Sequence, residues 1–336
     1  MAHSELATAA RSDPAGLARK IRAALGPCSL GTWPTPVAPA DALGAEAGLR
    51  TLWLKREDRA AALYGGNKVR GLEFLLAGAP ADAVFVTVGG TGSTHCLATA
   101  VCARRLGRRS ALAQFPQPST ASADLVAARS AVCADVVARV RVRAALPLAV
   151  ARAWLAARRL GAPRWIAGGG ADPRAVIGHL LAALELGDQL RTPPDAIVLP
   201  LGTGSTAAGL VLGLACLGWP TRVVGVRVSP LLIANAWRSA WLARGARGLL
   251  WEHGVPVPRP ASLLPLVVDG LGRGYGFPTD RGEAARTRAA RHGLALDSTY
   301  GAKALAALAD LPARGFRHVV FWHTFSFPPS ASELTR

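Results

Sequence analysis

The stretch Ala196-Ile197-Val198-Leu199-Pro200-Leu201-Gly202-Thr203-Gly204-Ser205-Thr206-Ala207-Ala208-Gly209 decides the fold. Its first six residues are all apolar and read as a strand buried on both faces, the pattern of a parallel sheet. A glycine loop follows, and Thr206 to Leu217 reads as a buried helix. No residue from Ala196 to Pro220 is charged, a length that could span a bilayer. The break at Gly202–Thr206 argues against a membrane helix and for strand, loop and helix. Consecutive backbone N–H groups in such a loop form an anion nest, strengthened by the helix dipole. Thr203, Ser205 and Thr206 can add hydroxyl donors. The alternative is an ordinary tight turn. No Gly-Lys-[Ser/Thr] ends the loop and no G-x-G-x-x-G stands at the first strand. A bound phosphate would therefore belong to something smaller than a nucleotide.

Strand followed by helix recurs along the chain. Strands are expected at Thr51–Lys55, Ala83–Val88, Ser110–Phe115, Arg164–Ala167, Arg222–Val228 and His318–Trp322. Helices are expected at His95–Leu106, Asp124–Ser130, Pro147–Leu160 and Val176–Leu190, with a surface helix from Arg11 to Leu25. This alternation predicts an α/β protein with parallel sheets covered on both faces. Two such series occur, with no internal repeat and no low-complexity linker between them. One domain is thus expected to be inserted in the other.

Composition narrows the function. The 336 residues suit about two domains at roughly 150 each. Hydrophobic residues are 51% and charged residues 18%, which excludes disorder. The net charge of +18 would attract anions, yet lysine occurs only at Lys20, Lys55, Lys68 and Lys303. Arginine scattered over predicted helices supplies the rest. No basic motif with interleaved aromatics accompanies it, so no nucleic-acid role is expected. The five cysteines, Cys28, Cys96, Cys102, Cys133 and Cys216, form no C-x-x-C and suggest neither a disulfide framework nor a metal site. The N-terminus carries Glu5 and Asp13 and has no apolar core, so a signal peptide is not expected. A cytoplasmic protein with no membrane segment is the expectation.

Four short stretches carry chemistry. In Gly65-Gly66-Asn67-Lys68, a glycine pair permits close backbone approach, and Lys68 opens a helix whose N-terminal field would lower its pKa. A neutral amine is what attacks an aldehyde; a solvated loop lysine is the plain alternative. Gly202 to Thr206 is the second stretch. Gly92-Ser93-Thr94-His95 is the third, with hydroxyls that could bind a carboxylate or cap a helix. The fourth comprises Gly274-Tyr275-Gly276, Asp297-Ser298-Thr299-Tyr300 and His323-Thr324, which hold two of the three tyrosines.

Taken together, these stretches resemble the D-cysteine desulfhydrase / 1-aminocyclopropane-1-carboxylate deaminase family of tryptophan-synthase-β-like pyridoxal 5'-phosphate (PLP) enzymes. The resemblance runs from about Leu30 to Ser326. Its most specific part is Lys55-Arg56-Glu57-Asp58 with Gly65-Gly66-Asn67-Lys68-Val69-Arg70 and Leu72-Glu73-Phe74, which is similar to K-R-[DE]-D … G-G-N-K-x-R-K-L-E-[FY]. It implies two open, twisted parallel sheets with flanking helices. It also implies a large PLP domain at 1–65 and 168–336 and a smaller α/β domain at 66–167.

The resemblance further implies that Lys68 carries PLP as a Schiff base, with Asn67 beside it. Thr94 stands where the family has an asparagine that contacts the cofactor. Gly202, Thr203, Gly204, Ser205 and Thr206 are similar to the phosphate-holding G-S-G-G-T. Thr324 is similar to the threonine of H-T-G-G that faces the pyridine nitrogen. Ser93 would grip the substrate carboxylate or relay a proton, and Tyr275 and Tyr300 are similar to the two active-site tyrosines. No metal is implied. Gly71, Gly301 and Phe325-Ser326 also depart from the pattern, where the family has lysine, threonine or glutamate, and a glycine pair.

The implied reaction is α,β-elimination on a small amino acid, D-cysteine above all, giving a 2-oxo acid, ammonia and sulfide. Lys68 would take the Cα proton, and Tyr275 or Tyr300 would protonate the leaving group. A neutral Thr324 favours quick expulsion of that group. Cyclopropane ring opening is the alternative, and Gly301 argues against it. Another PLP lyase or racemase, or a PLP-binding relative without catalysis, stays open. A homodimer is expected by analogy.

Overall fold

A computed structural model describes residues 13–328, 330, 332 and 333. The signal-peptide reading and Arg11 of the expected first helix lie outside the described residues. Helix α1 spans Pro14–Leu25, with Pro14 in its first turn and the Asp13 carboxylate accepting from Gly16 N–H at 2.6 Å.

The larger sheet has the order β1-β2-β10-β7-β8-β9. Its strands are β1 (Val37–Pro39), β2 (Thr51–Arg56), β7 (Ala196–Leu201), β8 (Arg222–Arg227), β9 (Leu266–Asp269) and β10 (His318–His323). All neighbours pair in parallel except β1, which runs antiparallel to β2. The smaller sheet, order β5-β4-β3-β6, is wholly parallel. It comprises β3 (Ala83–Gly90), β4 (Arg109–Phe115), β5 (Val136–Arg139) and β6 (Ala162–Trp165). It falls in sequence between β2 and β7.

The helices cover both faces. They include α2 (Asp41–Glu46), α3 (Lys68–Leu75), α4 (Thr94–Arg105), α5 (Ala121–Cys133), α6 (Leu146–Leu160), α7 (Pro173–Gln189) and α8 (Ser205–Leu217). Beyond these lie α9 (Ala236–Glu252), α10 (Asp280–Arg291) and α11 (Gly301–Ala306). Every residue of β7 except Pro200 is buried, which explains its unbroken apolar run. The strand expected at Arg164–Ala167 sits at Ala162–Trp165 instead, paired with Ala83–Val86. Strands β1, β5 and β9 carry no clear sequence signal. They are three or four residues long and lie at sheet edges, where few side chains need to be apolar.

A buried ion network fastens α3 to the larger sheet. Arg70 donates from Nε to Glu57 Oε2 at 2.5 Å and from Nη1 to Glu185 Oε2 at 3.0 Å, and stacks on Trp33 at 3.9 Å. Lys55 Nζ pairs with Glu185 and donates to Gln189 Oε1 at 2.6 Å and the Thr35 carbonyl at 2.9 Å. The Lys55–Asp58 motif therefore supports the helix that begins at Lys68. All five cysteines are free, four of them buried and Cys28 half-buried. Among the described residues no helix is long and apolar enough to cross a membrane, and no cluster of His, Cys, Asp or Glu could hold a metal ion.

Candidate active site

Ligands of parallel α/β sheets sit beyond the carboxyl ends of the strands. Both sheets deliver their ends to one place here. Leu201 at the end of β7 leads into Gly202, His323 at the end of β10 leads into Thr324, and Gly89 and Gly90 end β3 just before α4.

The lysine loop is sewn to the larger sheet. Gly66 N–H donates to the Glu57 carbonyl at 2.8 Å, and Asn67 N–H donates to the Thr324 carbonyl at 3.1 Å. Gly66 has φ +93°, and a Cβ there would lie 3.0 Å from the Thr324 carbonyl oxygen. A Cβ on Gly65 would lie 2.2 Å from the Asp58 carbonyl oxygen. Both glycines are thus required by close approach and, at Gly66, by a left-handed backbone. Asn67 Nδ2 also donates to Thr206 Oγ1 at 2.8 Å, which ties the lysine loop directly to the glycine loop.

Gly204, at φ +99°, stands just before the first N–H groups of α8, which no side chain caps. Those groups have no acceptor within the helix. A Cβ on Gly202 would meet nothing within 4 Å, so the loop faces open space. The hydroxyls behave differently from expectation. Ser205 Oγ donates to the Gly170 carbonyl at 2.8 Å, and Thr203 Oγ1 donates to that of Gly169 at 3.3 Å. Thr206 Oγ1 lies 3.3 Å from His179 Nε2. Backbone N–H groups are therefore the available donors, and the hydroxyls brace the loop.

Asn67, Lys68, Thr94, Thr324, Phe325 and Tyr300 line a cavity of about 40 Å³ together with the loop Gly202–Thr206. Lys68 and Thr94 also line an adjoining cavity of about 300 Å³, with Ser93, Tyr275 and Tyr300. All the residues expected at the site thus meet. Burial pushes the Lys68 amine down from 10.5 to about 8. The cause is lost hydration.

Tyr275 Oη and Tyr300 Oη lie 2.6 Å apart. Burial raises Tyr275 to about 12 and Tyr300 well above its ordinary value, so both stay protonated near neutral pH. Asp297 accepts from the N–H groups of Thr299, Tyr300 and Gly301 at 2.7 to 2.9 Å and fixes the start of α11. A Cβ on Gly301 would lie 3.1 Å from Leu296 and 3.2 Å from Asp297, which leaves little room for the family's larger residue. Gly71 is similarly confined, with its Cβ position 2.9 Å from Ala175 Cβ. Phe325 packs edge-on against Phe327, centroids 4.8 Å apart, and closes the small cavity where the family has glycine. Ser93 caps α4 by accepting from Cys96 N–H at 3.3 Å.

Two histidines were not foreseen. His95 and His179 flank Lys68, each with a buried Nδ1 that has no hydrogen-bond partner among the described residues. Burial, with the nearby Lys68 charge, holds His95 down at about 3 and His179 well below its ordinary value. Both are neutral. A lone polar residue inside the apolar run of α7 was the available signal for His179.

The arrangement fits pyridoxal phosphate. The backbone nest suits a phosphate, an amine of lowered pKa suits an aldehyde, and the Thr324 hydroxyl shares the same small cavity.

Comparison with known proteins agrees. Residues 28–324 match the family described as pyridoxal-phosphate dependent enzyme. The nocardicin C-9' epimerase of Nocardia uniformis subsp. tsuyamanensis is 34% identical over 88% of this chain and 91% of its own length. A D-cysteine desulfhydrase of Salmonella choleraesuis is 30% identical over 83% of this chain and 88% of its own. Among solved structures, one described as an ACC deaminase homologue superposes with a TM-score of 0.76 at 29% identity, covering 92% of this chain and 95% of that one. The two-sheet architecture is that of the tryptophan-synthase-β-like PLP enzymes. With a family match over most of its length, this chain belongs to the pyridoxal-phosphate dependent enzymes, and its cofactor is pyridoxal 5'-phosphate.

Proposed function

We propose that the chain removes the Cα proton of an amino acid and expels a β-substituent, in the manner of D-cysteine desulfhydrase, giving a 2-oxo acid, ammonia and a thiol or sulfide. The observation that carries this reading is that a lysine amine of lowered pKa and a hydrogen-bonded tyrosine pair line the same cavity. Pyridoxal phosphate, when bound, supplies a carbonyl that bonds amines and a ring that withdraws electrons from Cα.

The chain's own residues do the rest. The Gly202–Thr206 turn holds the phosphate through backbone N–H groups. Asn67, Thr94 and Thr324, which line the same cavity as Lys68, would contact the bound cofactor, Thr324 with a neutral hydroxyl. Ser93, with the N-terminus of α4, grips the substrate carboxylate. Lys68 takes the Cα proton as general base. The Tyr275–Tyr300 pair, protonated at neutral pH, returns a proton to the departing sulfur. On an amino acid without a leaving group, the same pair returns it to Cα instead, which is epimerisation. The 34% identity to an epimerase favours keeping that second reading.

Incubating the PLP-loaded enzyme with a panel of D- and L-amino acids in D₂O tests both. Elimination predicts 2-oxo acid and sulfide from D-cysteine. Epimerisation predicts Cα deuteration with inversion and no 2-oxo acid. Absence of Cα exchange and of 2-oxo acid across the panel overturns the assignment of Lys68 as base.

The same reading takes 1–65 with 168–336 as the PLP domain and 66–167 as the inserted domain, each with one sheet. It also takes the protein as a cytoplasmic homodimer that binds no nucleic acid; sedimentation, with and without added DNA, checks the assembly and that absence.

A further inference from the structure

The larger cavity holds features that the proposed chemistry does not use. Its volume of about 300 Å³ lies at the lower end of the roughly 300–1,000 Å³ of small-molecule sites, and it extends from the part bordered by Lys68, Thr94 and Gly202, which the cofactor shares, to a wall beyond them. Phe115, Leu146 and Ile233 form apolar parts of its wall. Arg143 and Arg238 stand among them, one from the connection between β5 and α6, the other from the first turn of α9.

Neither arginine has a carboxylate partner among the described residues. Arg143 lies over the Phe115 ring at 4.6 Å. Arg238 has its Nε buried with no hydrogen-bond partner. A buried guanidinium nitrogen without an acceptor is costly, and it marks a place where an acceptor is expected. Neither arginine lines the smaller cavity around Gly202–Thr206, although Gly202 and Thr203 border the larger one too, so the test is run on PLP-loaded enzyme, in which the cofactor phosphate already has its donors. The substrate's α-carboxylate is not that acceptor, because the proposed reading gives it to Ser93 and the start of α4. The net charge of +18 also biases the molecule toward anionic ligands.

We propose that the natural substrate is an amino acid whose side chain is an extended apolar, preferably aromatic, group ending in an acid, and that Arg143 and Arg238 bind that acid. This rests on the reading of Lys68 as the base and names the substrate class for the same site. On an S-substituted cysteine the step balances without any redox partner. Lys68 takes the Cα proton and the electron pair becomes a Cα–Cβ double bond. The Cβ–S bond breaks with its pair on sulfur, and the thiolate takes a proton from the tyrosine pair. Water then releases a 2-oxo acid and ammonia.

The test uses S-(4-carboxybenzyl)cysteine and S-(4-methylbenzyl)cysteine, as D and L forms, on the PLP-loaded enzyme. Calorimetry gives Kd, and deuterium exchange at Cα reports the base separately. The carboxylate form is expected to bind about tenfold tighter than its methyl counterpart, the scale of one charge-assisted hydrogen bond. In the double variant Arg143→Gln/Arg238→Gln that preference is expected to collapse to near unity. Equal binding of the two compounds to the parent enzyme, or a preference that survives in the double variant, overturns the proposal. Tight, arginine-dependent binding without any Cα exchange supports the acid-binding wall and instead sinks the role of Lys68. Should the double variant fold poorly, Arg143→Gln alone, at an exposed position, carries the same comparison.

Discussion

The two adjoining cavities were built in different ways. The smaller comes from contiguous motifs, Asn67-Lys68 and Gly202–Thr206, with the single strand-end residue Thr324. Those motifs are locked together by Asn67 to Thr206 and by the lysine loop to Thr324. The larger is assembled from single residues on distant segments, including Phe115, Arg143, Ile233 and Arg238. This second cavity also holds Lys68, Ser93 and both tyrosines, and its apolar wall and two arginines are what the proposed substrate preference rests on.

The comparison can be broken at its inner half first. Lys68→Ala is expected to lower Cα exchange by about 10²–10⁴-fold, the range for losing a general acid or base, and to abolish the visible absorbance of lysine-bound cofactor. Retention of both by the variant would refute the assignment. Next in size, Arg70→Met leaves Glu57 buried without its partner and is expected to destabilise the fold by about 3–5 kcal/mol, read by urea denaturation. A loss below about 1 kcal/mol would mean that the network behind α3 is not what holds the lysine helix in place.

Smaller effects sharpen the contrast. Gly204→Ala meets both φ +99° and a Ser239 Oγ 2.7 Å from the new Cβ. It is expected to cost about 1–3 kcal/mol and to weaken cofactor binding, measured by titration of the apoprotein. The same measurement on Arg143→Gln should show no such loss. Last, the bimolecular rate of PLP capture by the apoprotein should follow the neutral fraction of Lys68. Because the amine is lowered to about 8, that fraction rises about tenfold from pH 7 to 9 and then levels off. A rate still climbing steeply above pH 9 would indicate an ordinary lysine.

The inner half and the fold were legible in sequence for one physical reason. Strands buried on both faces, such as β7, must be continuously apolar, and glycines at φ +93° or +99° have almost no substitutes. Lys68 and Tyr300 line both cavities, Thr324 the smaller, and Ser93 and Tyr275 the larger. The causes were less legible. Burial lowers Lys68, and the hydroxyls of Thr203 and Ser205 brace carbonyls. Edge strands β5 and β9 escaped notice because one flank of each needs no partner side chain. Arg143 and Arg238 were lost among many scattered arginines, and only the cavity they share distinguishes them.

The free cysteines have a consequence for how the chain withstands oxidants. Burial raises Cys28 to about 11 and Cys96, Cys102 and Cys216 to about 12, and raises Cys133 as well. Thiolate, not thiol, attacks disulfides and reacts with peroxide. Their sulfur stays protonated at neutral pH, so disulfides or peroxide that reach the chain find little thiolate to attack them.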